Sequence, residues 1–230
     1  MPHVTAAPAW LSVFAWERFG RTSLLALMLA ACAGCTTGSR ATSDTFRLLL
    51  NRNIEATPEQ VAANRFPQAQ IRAKDVSAVM VLGYVDAGTQ VWFAGSHAVF
   101  YVDSRGLVTG TSGLGRTFET RVLAPSPFDN LTTLTDEVAV TREFDWSTRY
   151  EMGVKVTGTL KRVRSERVEI LGKQMDLTRF EESLVGDSIQ ATNLYWADPA
   201  TGFIWKSKQH LAPGYAVELV QLKPYGPAAR

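Results

Sequence analysis

The chain has 230 residues, 24 Lys and Arg against 22 Asp and Glu, and 46% hydrophobic residues. A charge so nearly balanced excludes the concentrated basic footprint that a nucleic-acid partner requires. Two cysteines, Cys32 and Cys35, are too few and too close together to staple a fold, so the length must supply its own core, and it suffices for one domain.

In chain order the first feature is Ser23–Cys32, an apolar run behind Arg18 and Arg21 that ends in small residues. It has the charged, apolar and small-residue regions of a secretory signal, and it is shorter than the ~20 apolar residues needed to cross a bilayer. Leu29-Ala30-Ala31-Cys32 resembles the lipobox of bacterial lipoproteins. That resemblance implies removal of residues 1–31 and acylation of Cys32 as the new N-terminus; Cys35, preceded by Cys32-Ala33-Gly34, is the poorer match. The alternative is an ordinary secretory signal with the two cysteines paired. Ala33 and Gly34, in place of an Asp, imply retention at the outer membrane. Met1–Glu17 fits a translation start placed too far upstream.

Residues 32–45 are small and polar and read as a lipidated tether. Phe46–Leu50 is an apolar patch opening the domain 46–225. Thr57-Pro58-Glu59-Gln60 is a helix start, with Thr57 as N-cap, Pro58 at the first helical position and Gln60 in the capping-box position, and the helix ends before Pro67. From Ala69 the pattern has period two. Strands are expected over 76–86 and 89–94 with a turn at Asp86-Ala87-Gly88, then over 97–103, where His97, Val99 and Tyr101 share one face and Ala98, Phe100 and Val102 the other, and over 107–111 after the turn Ser104-Arg105-Gly106. Ala124–Asn130 is a loop with two prolines. Further strands are expected over 137–144, 149–163, 167–171, 175–184, 190–196, 203–211 and 217–222, with 226–230 as a tail. The expected fold is all-β, a single antiparallel meander of roughly ten strands, strongly curved or barrel-like, with a short N-terminal helix.

Two segments resemble one known family. Val91–Leu114 holds a Trp-containing strand, a strand ending before a Gly turn and a Thr-Ser-Gly-Leu stretch, and Tyr195–Gln209, with Pro213-Gly214 after it, resembles the family's C-terminal hairpin and Ser-x-Gln segment. With the lipobox these are similar to the YjbF/GfcB lipoproteins over residues 44–225. The resemblance implies an outer-membrane, periplasm-facing lipoprotein that is an accessory to exopolysaccharide or group 4 capsule export, works beside an outer-membrane β-barrel partner and has no enzymatic activity.

The residues themselves offer little catalytic chemistry. His97 and His210 lie on separate strands without metal-ligand spacing, and Ser96, His97 and Asp103 form a triad only if strand geometry is ignored. Gly110–Gly115 matches no phosphate-binding fingerprint and reads as a turn or bulge. Lys161–Arg167 reads as the solvated end of a long hairpin. No cofactor, metal or nucleic acid is expected. Aromatic residues remain: Trp92, Tyr101, Trp196 and Trp205, with Ser207 and Gln209, are the expected contacts for glycan or partner, against the usual fate of a strand Trp as core filler. Phe203, Trp205, Ser207 and Gln209 fall on one strand face. The function expected is non-catalytic docking to an outer-membrane partner; the alternative is direct carriage of polysaccharide or lipid in an aromatic-lined concave sheet.

Overall fold

The computed structural model describes residues 55–113 and 115–226. The expected signal, Cys32, the tether, Phe46–Leu50 and most of the tail lie outside the described residues. Helix α1 (Pro58–Ala63) begins as expected: the Gln60 N–H donates to Thr57 Oγ1 at 3.3 Å and the Thr57 N–H to Gln60 Oε1 at 3.1 Å. Gln68 Nε2 donates to the Val61 carbonyl and Arg72 pairs with Glu55, which lays this segment along the outside of the first strand.

Among the described residues twelve strands follow: β1 (Gln68–Ala73), β2 (Ser77–Asp86), β3 (Thr89–Ala94), β4 (Ala98–Val102), β5 (Val108–Ser112), β6 (Phe118–Val122), β7 (Val138–Trp146), β8 (Glu151–Ile170), β9 (Lys173–Val185), β10 (Gln190–Ala197), β11 (Ile204–Ala212) and β12 (Tyr215–Lys223). Each pairs antiparallel with its sequence neighbour, and β12 returns to β1, closing a barrel. The β2–β3 turn is where the sequence puts it, with Ala87 at φ 45° and Gly88 at φ 83°.

The strand count exceeds the expected ten for two reasons. β1 (QAQIRA) is short, with only Ala69 and Ile71 as apolar core residues between glutamines, and β6 (FETRV) carries Thr120 at an inward position, so the alternation of both is faint. In the other direction, residues 149–163 and 167–171 prove to be one strand, β8. Its far half pairs only with β9, from Glu166↔Leu177 to Ile170↔Lys173, so this ribbon projects beyond the barrel and polar residues occupy both of its faces. Lys161–Arg167 is therefore the shaft of the hairpin and not its end, which is at Leu171-Gly172.

A wide lumen is open to a barrel of this strand number, but here the walls meet. The Trp146 indole on β7 donates to the Leu211 carbonyl on β11 at 2.8 Å, and Phe118 on β6 packs on Tyr215 on β12 with ring centroids 5.0 Å apart. The interior has three layers. One end holds a large apolar cluster including Met80, Trp92, Phe100, Phe144, Trp146 and Val217. The other holds a smaller one, including Val140, Leu160, Phe180, Tyr195 and Ile204. Between them runs a polar belt, because successive inward positions are Thr120 on β6, Arg142 on β7, Glu182 on β9, Asn193 on β10, and Ser207 and Gln209 on β11, all buried.

Candidate functional site: a groove along the β5–β6 seam

The belt is held by charge-assisted hydrogen bonds. Arg142 Nε donates to Glu182 Oε1 at 2.6 Å and Arg142 Nη2 to Tyr195 Oη at 2.9 Å; the Tyr195 hydroxyl donates to Glu182 Oε2 at 2.5 Å, and Asn193 Nδ2 donates to the same oxygen at 2.8 Å. The Asn193 carbonyl oxygen accepts from the His210 backbone N–H at 2.7 Å and from its Nδ1 at 3.1 Å. Burial works against the Arg142 charge, but the Glu182 carboxylate outweighs it and raises the guanidinium pKa; burial also pushes the Tyr195 phenol well up and the His210 imidazole down.

Above the belt, the β6–β7 loop closes the smaller apolar end. Its 3₁₀ turn Pro127–Asn130 drives Phe128 inward, edge-on to Tyr195 at 5.0 Å and with the Arg142 guanidinium 5.5 Å from its ring centre. Arg105, in the β4–β5 turn, pairs with Asp103 at 3.0 Å and with Asp129 in that 3₁₀ turn. The same turn docks on β11, where the Ile204 N–H donates to the Arg105 carbonyl at 2.9 Å. Gly106 has φ +95°, and a Cβ there would lie 2.6 Å from the Ile204 carbonyl oxygen, so this close approach requires glycine.

The wall is weakest between β5 and β6. Among the described residues their ladder consists of Gly110↔Glu119 and Thr111↔Phe118, whereas β6 pairs with β7 along its whole length. The β4–β5 ladder shifts register between Tyr101 and Val102, and beyond the two β5–β6 pairs Thr109 and Thr120 border the cavities at this seam. Three adjoining cavities follow from this. The middle one, about 290 Å³, has Thr120, Ser126 and Arg142 in its lining. Through Thr109, Thr120 and Arg121 it meets an outer one of about 290 Å³ beside Tyr101 and Glu119. Across Arg105 and Asp129 it meets a third of about 250 Å³, lined by Phe128, Phe203 and Tyr225.

Of the residues expected from sequence, only Tyr101 falls in this groove, its ring lying over Gly110. Trp92 is fully buried, its indole N–H donating to Gln90 Oε1 at 3.1 Å. Ser207 and Gln209 are buried and bonded to each other at 2.9 Å. Trp205 does not share their face. Trp196 opposes Lys206 while Ala197 opposes Ile204, so a bulge at Trp205 makes Ile204 the inward residue. Trp205 packs edge-on to Phe203 at 5.6 Å. Trp196 is half-buried on the outer wall, donating its indole N–H to Glu166 Oε2 at 2.7 Å beneath Lys206 Nζ. Those bonds from Trp196 and from Arg179 and Arg164 hold the Glu166 carboxyl at about 2. Ser96 Oγ and His97 Nδ1 are 2.6 Å apart in the exposed β3–β4 turn, at the opposite end of β4 from Asp103, whose carboxylate accepts from Arg105 and the Leu107 N–H. No cluster of three or more His, Cys, Asp or Glu residues able to hold a metal occurs among the described residues. Sequence reasoning missed Thr120, Ser126, Arg142 and Tyr225; for Thr120 and Ser126 the available signal was the looseness of residues 112–130, and Arg142 and Tyr225 carried none.

The fold defines the class: a filled, closed antiparallel barrel of YmcC-like architecture. A hypothetical lipoprotein YmcC from Escherichia coli K12 superposes with a TM-score of 0.63 at 23% identity, over 73% of this chain and 89% of that one. The chain belongs to the family described as group 4 capsule polysaccharide lipoprotein gfcB, YjbF, whose family model matches residues 23–222. A relative in Escherichia coli strain K12, the uncharacterized lipoprotein GfcB, is 25% identical over 211 residues, which is 89% of this chain and 99% of the relative.

Proposed function

We propose that this lipoprotein is a non-catalytic accessory of exopolysaccharide or capsule export, anchored through Cys32 to the outer membrane, facing the periplasm, and docking by its outer wall to an outer-membrane secretion protein. The observation that carries this reading is where the apolar surface lies. The concave side is filled by Trp92, Phe100, Phe144 and Trp146, which argues against carriage of lipid or polysaccharide inside the barrel. The outside of β2–β4, in contrast, presents Phe93 at 38% exposure and Tyr84 at 55%, beside half-buried Val81 and Val99. Phe93 is held flat on the sheet because Gly83 leaves room beneath its ring, where a Cβ would come within 2.2 Å. Membership of a capsule lipoprotein family supports the process in which that surface works.

Photocrosslinking in intact cells tests the docking. A benzoyl-phenylalanine at position 93 is expected to give a discrete adduct with an outer-membrane protein, and one at exposed position 208, on the polar wall of β11, is not. No adduct at 93, or equal adducts at both, contradicts the docking surface.

A further inference from the structure

We propose that the groove along the β5–β6 seam binds a segment of a hydroxyl-rich glycan chain, one sugar ring in each compartment. This goes beyond docking and rests on the polysaccharide role proposed above. The groove is long and segmented, as a linear polymer requires: three cavities of about 290, 290 and 250 Å³ adjoin through shared side chains. Its middle compartment offers polar groups that the protein leaves unused. The Thr120 and Ser126 hydroxyl oxygens are buried without a partner, and Thr120 is only 5% exposed. Arg142, 2% exposed, lines the same compartment and engages Glu182 and Tyr195 through Nε and Nη2. Buried polar groups are ordinarily satisfied, so a pair of open ones beside a solvent-connected cavity marks a place for a ligand's hydroxyls.

The outer compartments supply ring faces instead, Tyr101 on one side and Phe203 with Tyr225 on the other. Aromatic faces flanking hydroxyl-directed polar groups are the chemistry that recognises sugar rings. Charge complementarity plays little part, since Arg105 is paired with Asp103 and Asp129, Arg121 with Glu143 and Asp145, and Arg142 with Glu182. A densely anionic ligand finds no free cationic side chain there. A peptide strand would pair with backbone edges, whereas side-chain hydroxyls, a guanidinium and aromatic rings line this groove.

The test is calorimetric titration of the full-length lipoprotein in detergent micelles with oligosaccharides from a partial hydrolysate of the host's own exopolysaccharide, fractionated by length. Affinity is expected to rise with length until the compartments are full, and to be insensitive to added salt. Tyr225→Ala and Tyr101→Ala should each weaken binding by about tenfold. Thr109→Trp, which fills the junction of two compartments, should abolish it, with thermal melting confirming the fold of each variant. Phe93→Arg, on the docking face, should leave binding unchanged. Absence of binding, affinity that falls steeply with salt, or affinity unchanged in Thr109→Trp and Tyr225→Ala overturns the groove as a glycan site. Exopolysaccharide output in cells lacking the chain separates the two readings. Export that depends on the chain, with no oligosaccharide binding, overturns the groove alone; export that does not depend on it overturns the capsule role.

Discussion

The two ends of the barrel are built on different physics. The end closed by the turns at 95–97, 147–150 and 213–214 is an apolar core in which Trp92, Phe100, Phe144 and Trp146 are sealed from water. The other end stacks a smaller apolar cluster on a buried ion pair, closes it with an inserted loop, and leaves beside the seam a cavity lined in part by Thr120 and Arg142. A buried ion pair is weak evidence for stability, because desolvating the two charges offsets much of their attraction. The apolar end therefore holds the fold, and the belt end fixes a specific arrangement of polar groups.

Substitutions can break that contrast. Trp92→Ala should cost about 3–5 kcal/mol in denaturant unfolding, by lost burial and cavity formation, while the groove keeps its shape. Glu182→Ala should cost a similar ~3–5 kcal/mol for a different reason, an uncompensated Arg142 charge in the interior, and should also disturb the groove. Urea unfolding paired with oligosaccharide titration of both variants distinguishes them. Gly106→Ala, which forces a Cβ onto the Ile204 carbonyl at positive φ, should cost about 1–3 kcal/mol and move the Arg105 bridge. Thr57→Ala removes the cap of α1, outside both ends, and should cost about 1 kcal/mol with no effect on binding.

The pH dependence is the smallest effect and separates wall from belt. Glu166 is bonded by the Trp196 indole, Arg179 and Arg164, and its folded pKa of about 2 lies below the unfolded carboxylate value of about 4.3. Its contribution is thus present above pH ~4.3 and lost as pH falls from there toward 2. Glu166→Gln should flatten the melting temperature over that acid range, by a modest amount because the ribbon is solvated. His210 is lowered by burial first and by Lys208 second, so its contribution is present above pH ~6.5 and is lost as pH falls through its folded pKa. His210→Gln should remove that higher-pH loss.

Much of what rests on local rules was legible. The alternation in Ala98–Val102, the Ala87-Gly88 turn and the Thr57 cap each rest on local rules, and each appears where those rules place it. The belt end was not legible, because its logic is non-local. Thr120, Arg142, Glu182 and Asn193 occupy inward positions that a period-two reading assigns to apolar residues, and only the closed barrel brings them together. The same holds for Trp205, where a single extra residue in β11 exchanges the faces that simple alternation implies. Aromatic content alone pointed to Trp92, whereas closure of the sheet makes that residue core.

The most direct test of a filled interior beside an open seam is amide hydrogen exchange on the full-length lipoprotein with and without the length-fractionated oligosaccharides. The account predicts added protection at 103–109, 119–129 and 201–203, segments around the groove, with none along β2 or at 91–94 in β3. Protection spread along β2–β3, or no change anywhere with oligosaccharide in excess, would contradict it.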